Sequence, residues 1–179
     1  MLASRGLDKN RIVTATVYLT NRADYTAMNE AWSAYFDGVR VKPSRSTVVV
    51  DTVGWKGSKA KVDITLTAAS GSDLIYNEAM PGAMSNILSY WTYYGGVGYM
   101  SEQVATNALN LDLEAQTDKI FEEIDKRLQA GNLTKSRILA ATVYVKDIGD
   151  TVQNRKNFGM FLMKWGGWTA QYNKPTVEA

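Results

Sequence analysis

The stretch NRIVTATVYL at 10–19 decides the fold, because it returns as SRILAATVYV at 136–145, an offset of 126 positions. β-Branched residues alternate along Ile12–Leu19, which predicts a strand. The same offset carries Asp24 onto Asp150, and each of these residues opens a helical pattern. A match that covers a strand and the start of a helix indicates duplication of a domain of roughly that length.

The composition is that of a globular protein, with 45% hydrophobic and 21% charged residues in 179 positions, and it favours one compact body. Twenty basic residues against eighteen acidic ones give a net charge of +2. No run of five like charges occurs, so nucleic acid is not an indicated partner. The N-terminus lacks the apolar segment of a signal peptide and no eighteen-residue apolar run follows, so we expect a cytoplasmic protein without a membrane span.

The sequence contains no cysteine and no histidine. This excludes disulfides, thiolate nucleophiles, Ser-His or Cys-His catalysis and the commonest zinc sites. Any chemistry must therefore come from carboxylates, Arg, Lys, Tyr, Ser or backbone groups.

The remaining patterns predict the other elements of the first half. A helix is expected from Asp24, as N-cap, to Gly38, with Tyr25, Met28, Trp32, Tyr35 and Phe36 on one face. Two strands at 44–53 and 59–68 are predicted to form a β-hairpin. The turn-rich stretch that follows, with Pro-Gly at 81–82, predicts a junction.

The second half opens with a predicted hairpin, strands 84–94 and 97–107 around Gly95-Gly96. A helix is predicted from the N-cap Asp112 to a stop at Gly131. The second copies of the strand (137–145) and of the helix (about 150–165) follow, and no room remains for a closing hairpin.

Several motifs in this order resemble the YjgF/RidA family of imine/enamine deaminases, also called endoribonuclease L-PSP-like. They are Ala-Met-Asn-Glu at 27–30, Pro-Ser-Arg-Ser-Thr-Val at 43–48, Tyr-Met-Ser-Glu-Gln at 99–103, Leu-Glu-Ala-Gln-Thr at 113–117 and the paired Thr-Val-Tyr strands. The resemblance implies an α/β (α+β) fold of the chorismate-mutase-like type, a mixed β-sheet with two helices packed on one face, present as parts of two copies.

In this interpretation, 1–70 is the C-terminal part of a first copy, 71–83 is a junction and 84–179 is the N-terminal part of a second copy. Alternatively, 1–131 forms one permuted domain. The strand and helix at 137–165 are then surplus, and we expect them to pair with a sheet edge or a neighbouring subunit because exposed apolar edges invite aggregation.

The resemblance also implies site residues. Arg45 matches the family arginine that binds a substrate carboxylate, a task suited to a planar guanidinium. Asp63 matches the family carboxylate that positions or activates water, and Ser101 matches a serine that hydrogen-bonds the ligand. The alternative for Arg45 is an exposed strand residue or an intersubunit ion pair. Alternation places Asp63 on the face of its strand turned away from the helix.

The chain departs from the family pattern at two of these positions. Glu102 stands where the family has Gly, and it either narrows the pocket or adds a second carboxylate. Met84 stands about where many deaminases have Tyr, and a thioether cannot donate the phenol's hydrogen bond. The second copy offers only Lys174 near the position of Arg45, so we expect at most one site per chain.

The resemblance implies hydrolysis of a small imine or enamine carboxylate to a keto acid and ammonia, without cofactor or metal. Arg45 would hold the carboxylate, and Asp63 with Ser101 would position water, with Met84 and Glu102 also lining the substrate. Family pockets lie between subunits, so a homo-oligomer, a trimer, is implied. The alternatives are a non-catalytic small-molecule-binding or structural subunit and, as a weaker third, a ribonuclease.

Overall fold

The computed structural model describes residues 2–55, 57–76, 87–146, 152–170 and 176–178. The chain divides into two compact units, Met1–Glu102 and Gln103–Ala179. Both units combine strands with helices, and the predicted α+β class with a mixed sheet is confirmed. No helix within the described ranges is long and apolar enough to cross a membrane.

The sheet of the first unit is built around β1 (Ile12–Leu19), the strand that the repeat predicts. β2 (Ser44–Val49) pairs with β1 in parallel and β3 (Val62–Ala68) pairs with its other edge in antiparallel fashion. Val13 and Val17 on β1 are fully buried. The most apolar strand therefore lies in the centre, with both rows of its backbone groups paired.

The predicted hairpin between 44–53 and 59–68 is wrong, because β1 lies between the two strands in the order β2-β1-β3. A hairpin there would leave one edge of the buried central strand without partners, which is costly for backbone amides out of water. The connection from 50 to 61 is also much longer than the two-residue turn of a tight hairpin. It carries the chain past β1 to the far edge.

Helix α1 (Tyr25–Tyr35) forms the crossover between β1 and β2. Its predicted apolar face is only partly buried, since Trp32 is 7% exposed whereas Tyr35 is 53% exposed. Asp24 occupies the predicted N-cap position of α1, although its side chain makes no capping hydrogen bond. Asn21 instead accepts the N–H of Ala23 and starts a 3-10 turn that leads into α1.

The Gly95-Gly96 hairpin is confirmed, with strands β4 (Trp91–Tyr94) and β5 (Val97–Met100) shorter than predicted. Both glycines have positive φ, 58° and 76°, as a type I′ turn requires. Residues 84–86 of the predicted first strand lie outside the described part of the chain. A bridge between Ser89 and Ser44 joins the segment before β4 to the start of β2.

In the second unit, α2 (Leu113–Ala130) begins at its predicted N-cap, where Asp112 accepts the N–H of Ala115 at 2.8 Å. The helix ends before Gly131 as predicted, although the residue with positive φ is Asn132, at 52°. α3 (Val152–Trp168) covers most of the predicted second helix. A buried cluster contains Phe121, Phe161 and Trp165.

The repeat extends to strand pairing. β6 (Ala140–Thr142) pairs in parallel with β7 (Thr176–Glu178), and Ala140 lies beside Thr176 as Thr14 lies beside Ser44. Each copy of the repeated strand thus has a parallel neighbour that follows its own helix. In the second unit the pair is short, three residues on each side.

Candidate functional site

Arg45 lies on β2 beside Ala15 of β1. Ala15 belongs to the buried row of β1, which alternates with a half-buried row, so Arg45 points to the face that α1 covers. Arg45 is only 2% exposed. The alternative in which Arg45 is an exposed strand residue is therefore wrong.

The guanidinium of Arg45 is held by residues of α1. Its Nη2 donates to Oδ1 of Asn29 at 2.7 Å, and its Nη1 lies 3.7 Å from the sulfur of Met28. The group stacks 5.1 Å from the ring centre of Trp32, and the phenol of Tyr25 also hydrogen-bonds it. Burial lowers the pKa of Arg45, and the nearby Tyr25 and Glu102 partly offset this.

The Nε atom of Arg45 is buried and has no hydrogen-bond partner among the described residues. The same holds for Oγ1 of Thr47, two residues further along β2. A buried N–H of a charged group without an acceptor is costly. An oxygen acceptor placed against the Nε atom would offset this cost.

Ser101 closes the outer edge of β2. Its hydroxyl accepts the backbone N–H of Arg45 at 2.8 Å and donates to the carbonyl of Ser89 at 2.6 Å. Ser101 is 4% exposed. Because a hydroxyl has a single proton, this arrangement uses it for the protein's own backbone and fixes the position of Arg45.

Glu102 continues the same edge, where its Oε2 accepts the backbone N–H of Thr47 at 2.9 Å. The residue as a whole is exposed to solvent. Partial burial of its carboxylate raises the pKa of Glu102, while the Thr47 N–H and the charge of Arg45 work in the opposite direction. The structure thus brings together Arg45, Ser101 and Glu102.

Asp63 lies apart from this group. It pairs with Tyr18 on β1, whereas Arg45 pairs with Ala15. Tyr18 and Ala15 are three positions apart, so Asp63 and Arg45 face opposite sides of the sheet, as alternation predicts for Asp63. Two strand spacings of ~4.8 Å and three residue rises of ~3.3 Å put their Cα atoms about 14 Å apart.

Two further predicted positions, Met84 and Lys174, lie outside the described residues. In the second unit, Val177 of β7 pairs with Ala141 of β6. This pair corresponds to Arg45 of β2 beside Ala15 of β1 in the first unit. The described part of that unit therefore has no guanidinium at the equivalent place. Within the described residues, no group of His, Cys, Asp or Glu is arranged to hold a metal ion.

An apolar groove of about 530 Å³ separates α1 from β3 on the covered face of the sheet. Val62, Ile64 and Leu66 line it from β3, each 45–46% exposed. The groove is lined mostly by apolar side chains, and Arg45 is not among its lining residues. The polar cluster at the edge of β2 is the better candidate site.

Sequence reasoning gave no role to Asn29 or Tyr25, although both contact Arg45. Asn29 lies within the Ala-Met-Asn-Glu motif at 27–30, so the motif carried a signal. The role of Asn29 could not be predicted from the motif, because its amide reaches the guanidinium of Arg45 only when α1 is placed over β2.

The comparison with known proteins covers most of the chain. The family described as endoribonuclease L-PSP matches residues 1–70 and 82–164. A RutC family protein of Haemophilus ducreyi is 38% identical over 97 residues, which are 54% of this chain and 75% of that protein. The RutC family protein YoaB of Escherichia coli K12 is 36% identical over 69 residues, 38% of this chain and 57% of that protein.

Among solved structures, the Rid-family protein YyfA of Yersinia pestis, described as a protein of unknown function, shares 32% identity and a TM-score of 0.35. That match covers 38% of this chain and 52% of YyfA. The chain thus spans only about half the length of YyfA and YoaB. The two separate segments matched by the family description fit a partial tandem arrangement, and the chain belongs to the endoribonuclease L-PSP family, the YjgF/RidA group.

Proposed function

We propose that this protein hydrolyses small imines or enamines that carry a carboxylate, releasing a keto acid and ammonia. Family membership supports the reaction class. The observation that carries the proposal is the buried Nε of Arg45, which has no acceptor among the described residues. A substrate carboxylate would supply the missing acceptor with a charge-assisted hydrogen bond.

The carboxylate would approach the edge of the guanidinium that presents Nε and Nη2. Nη2 now donates to Asn29, so the ligand would displace this amide oxygen and gain two parallel donors. Stacking on Trp32 keeps the guanidinium plane fixed. Ser101 acts on the substrate through Arg45, because its hydroxyl holds the backbone of that residue. Met84 remains a proposed substrate contact.

Asp63 keeps a proposed role in activating water only if another copy of the chain supplies it. Within one chain it lies on the opposite face of the sheet from Arg45. A homo-oligomer, with a trimer as our expectation, would place a face of one sheet against the site of its neighbour. The reaction itself requires water and proton transfer and no cofactor.

A second candidate is a non-catalytic subunit that binds a small molecule or serves a structural role. It is favoured by the 2% exposure of Arg45. In this reading the guanidinium attaches α1 to the sheet through Asn29 and Trp32, and no substrate is needed to satisfy most of its hydrogen-bonding groups.

The two candidates are separated by the rate of ammonia release from a freshly generated 2-imino acid. The wild-type chain is compared with Arg45→Lys, which keeps the charge and loses the fork geometry. Arg40→Ala removes an exposed arginine and is the matched control. A loss of one good charged contact predicts roughly 10- to 150-fold lower kcat/KM for Arg45→Lys.

Wild-type activity in Arg40→Ala together with a large loss in Arg45→Lys supports the deaminase. Equal rates in all three proteins at matched oligomeric state would contradict the role of Arg45. Rates no faster than the buffer alone, across imino acids of several sizes, would favour the non-catalytic subunit.

A further inference from the structure

Glu102 is a carboxylate whose charge acts on the guanidinium of Arg45. Thr47 and Arg45 are two residues apart on β2, and their backbone N–H groups are bound by the side chains of Glu102 and Ser101. The two acceptors are adjacent in sequence and replace a neighbouring strand along this edge. Glu102 is thereby fixed beside the guanidinium, whereas Asp63 is about 14 Å away on the other face.

Glu102 lies where its carboxylate could contact both a bound substrate and water. One oxygen, Oε2, is held at 2.9 Å by the Thr47 N–H, and this restraint limits the orientation of the carboxylate. The residue is exposed to solvent, while Arg45 beside it is buried. A substrate bound by Arg45 through its carboxylate would thus have its reactive carbon on the solvent side, towards Glu102.

We propose that Glu102 is the general base that activates water for imine hydrolysis in this protein, in place of Asp63. The inference rests on the proposed function and identifies the residue that would perform it. It follows from the contacts of Glu102 on β2 and from the separation of Asp63 from Arg45.

In the first step, water oxygen bonds to the carbon of the iminium, and the C=N electron pair moves onto nitrogen. The water proton passes to Glu102, which leaves a neutral carbinolamine. The protonated Glu102 then returns the proton to nitrogen, the C–N bond breaks as the C=O bond forms, and the hydroxyl proton leaves with ammonia as ammonium. The carboxylate is regenerated, and one water and one iminium yield one ketone and one ammonium ion.

The electrostatics of Glu102 are consistent with this role. Partial burial raises its pKa, and the charged group that opposes the shift is Arg45. A carboxylate with a raised pKa is a stronger base and transfers protons more effectively near neutral pH. The phenol of Tyr25 also interacts with the guanidinium of Arg45.

The test compares Glu102→Gln with Asp63→Asn in the full chain, with ammonia release measured from pH 5 to 9. Glutamine keeps an oxygen that can accept the Thr47 N–H, so the edge of β2 is preserved. Glu30→Gln, an exposed glutamate on α1, is the matched control. Loss of general base catalysis predicts a fall in kcat of about 100-fold or more for Glu102→Gln.

We also expect the fall of kcat/KM at acidic pH to be present in the wild type and in the control Glu30→Gln and to be lost in Glu102→Gln. Wild-type kcat in Glu102→Gln, or the acidic fall abolished by Asp63→Asn instead, would overturn the role of Glu102 and leave the deaminase intact. A wild-type chain without activity on any imino acid would overturn both.

Discussion

The backbone N–H of Arg45 is bound by the hydroxyl oxygen of Ser101 at 2.8 Å. A side chain thereby performs the task that a neighbouring strand performs elsewhere in the sheet. The same hydroxyl donates to the carbonyl of Ser89, so one atom joins two segments of backbone. The site is consequently organised by the end of the hairpin as well as by β2.

Ser101→Ala should destabilise the first unit. The substitution leaves the N–H of Arg45 and the carbonyl of Ser89 without their partner in a buried place. We expect a loss of about 1–3 kcal/mol in the free energy of unfolding, measured by urea denaturation. Ser33→Ala on α1 is the control and should change little. A Ser101→Ala protein as stable as the wild type would show that the two backbone groups find other partners.

Arg45→Met should reveal how far Arg45 stabilises the fold. Methionine keeps much of the apolar stem and removes the hydrogen bond to Asn29 and the charge over Trp32. If binding is the main task of the guanidinium, the buried charge is a cost in the unliganded protein, and Arg45→Met should unfold within about 1 kcal/mol of the wild type. A loss of several kcal/mol would instead support the structural reading.

The pH dependence of stability should report on Glu102. Its pKa is raised in the folded protein, so the folded state binds a proton more tightly than the unfolded state. The wild type should therefore lose stability as the pH rises from the ordinary range of a glutamate, about 4.3, through the raised pKa of the folded state. Glu102→Gln lacks this dependence.

The measurement is the urea midpoint of the wild type and of Glu102→Gln at a series of pH values across that window. The advantage of the Gln variant should grow as the pH rises and then level off. A constant difference between the two proteins would show that the carboxylate has the same pKa in both states.

Gly98→Ala tests the packing of the hairpin. A Cβ at this position would lie 2.8 Å from Cε1 of Tyr93 and 2.9 Å from Cζ3 of Trp91. Both rings are in a buried part of the unit, so they have little room to move, and overpacking predicts a loss of about 1–3 kcal/mol. Gly159→Ala in α3 meets no atom within 4 Å and should stabilise that helix by up to about 1 kcal/mol.

Local patterns predicted the elements that depend on local chemistry. The bounds of β1, the turn at Gly95-Gly96 and the cap at Asp112 follow from alternation, positive φ and a side-chain acceptor. The hairpin between the strands at 44–53 and 59–68 could not be judged in this way. Which strands pair depends on the burial of β1, a property of the whole sheet.

In the candidate site, too, some features follow from local motifs and others depend on the arrangement of the whole sheet. Motifs pointed to Arg45, Ser101 and Glu102, and the structure brings these three residues to one edge of β2. The separation of Asp63 depends on strand order, because β1 intervenes between β2 and β3. The family motif around 27–30 contained Asn29 without indicating its contact with Arg45.

The central claim is that Arg45 recruits a carboxylate-bearing imine for hydrolysis. The most direct test is ammonia release by the wild-type chain from a small 2-imino acid and from its methyl ester, each corrected for the rate in buffer. Loss of a charged hydrogen-bonded contact predicts that the acid reacts roughly 10- to 150-fold faster in kcat/KM than the ester. Equal rates for the two compounds, or no release above buffer from either, would contradict the account.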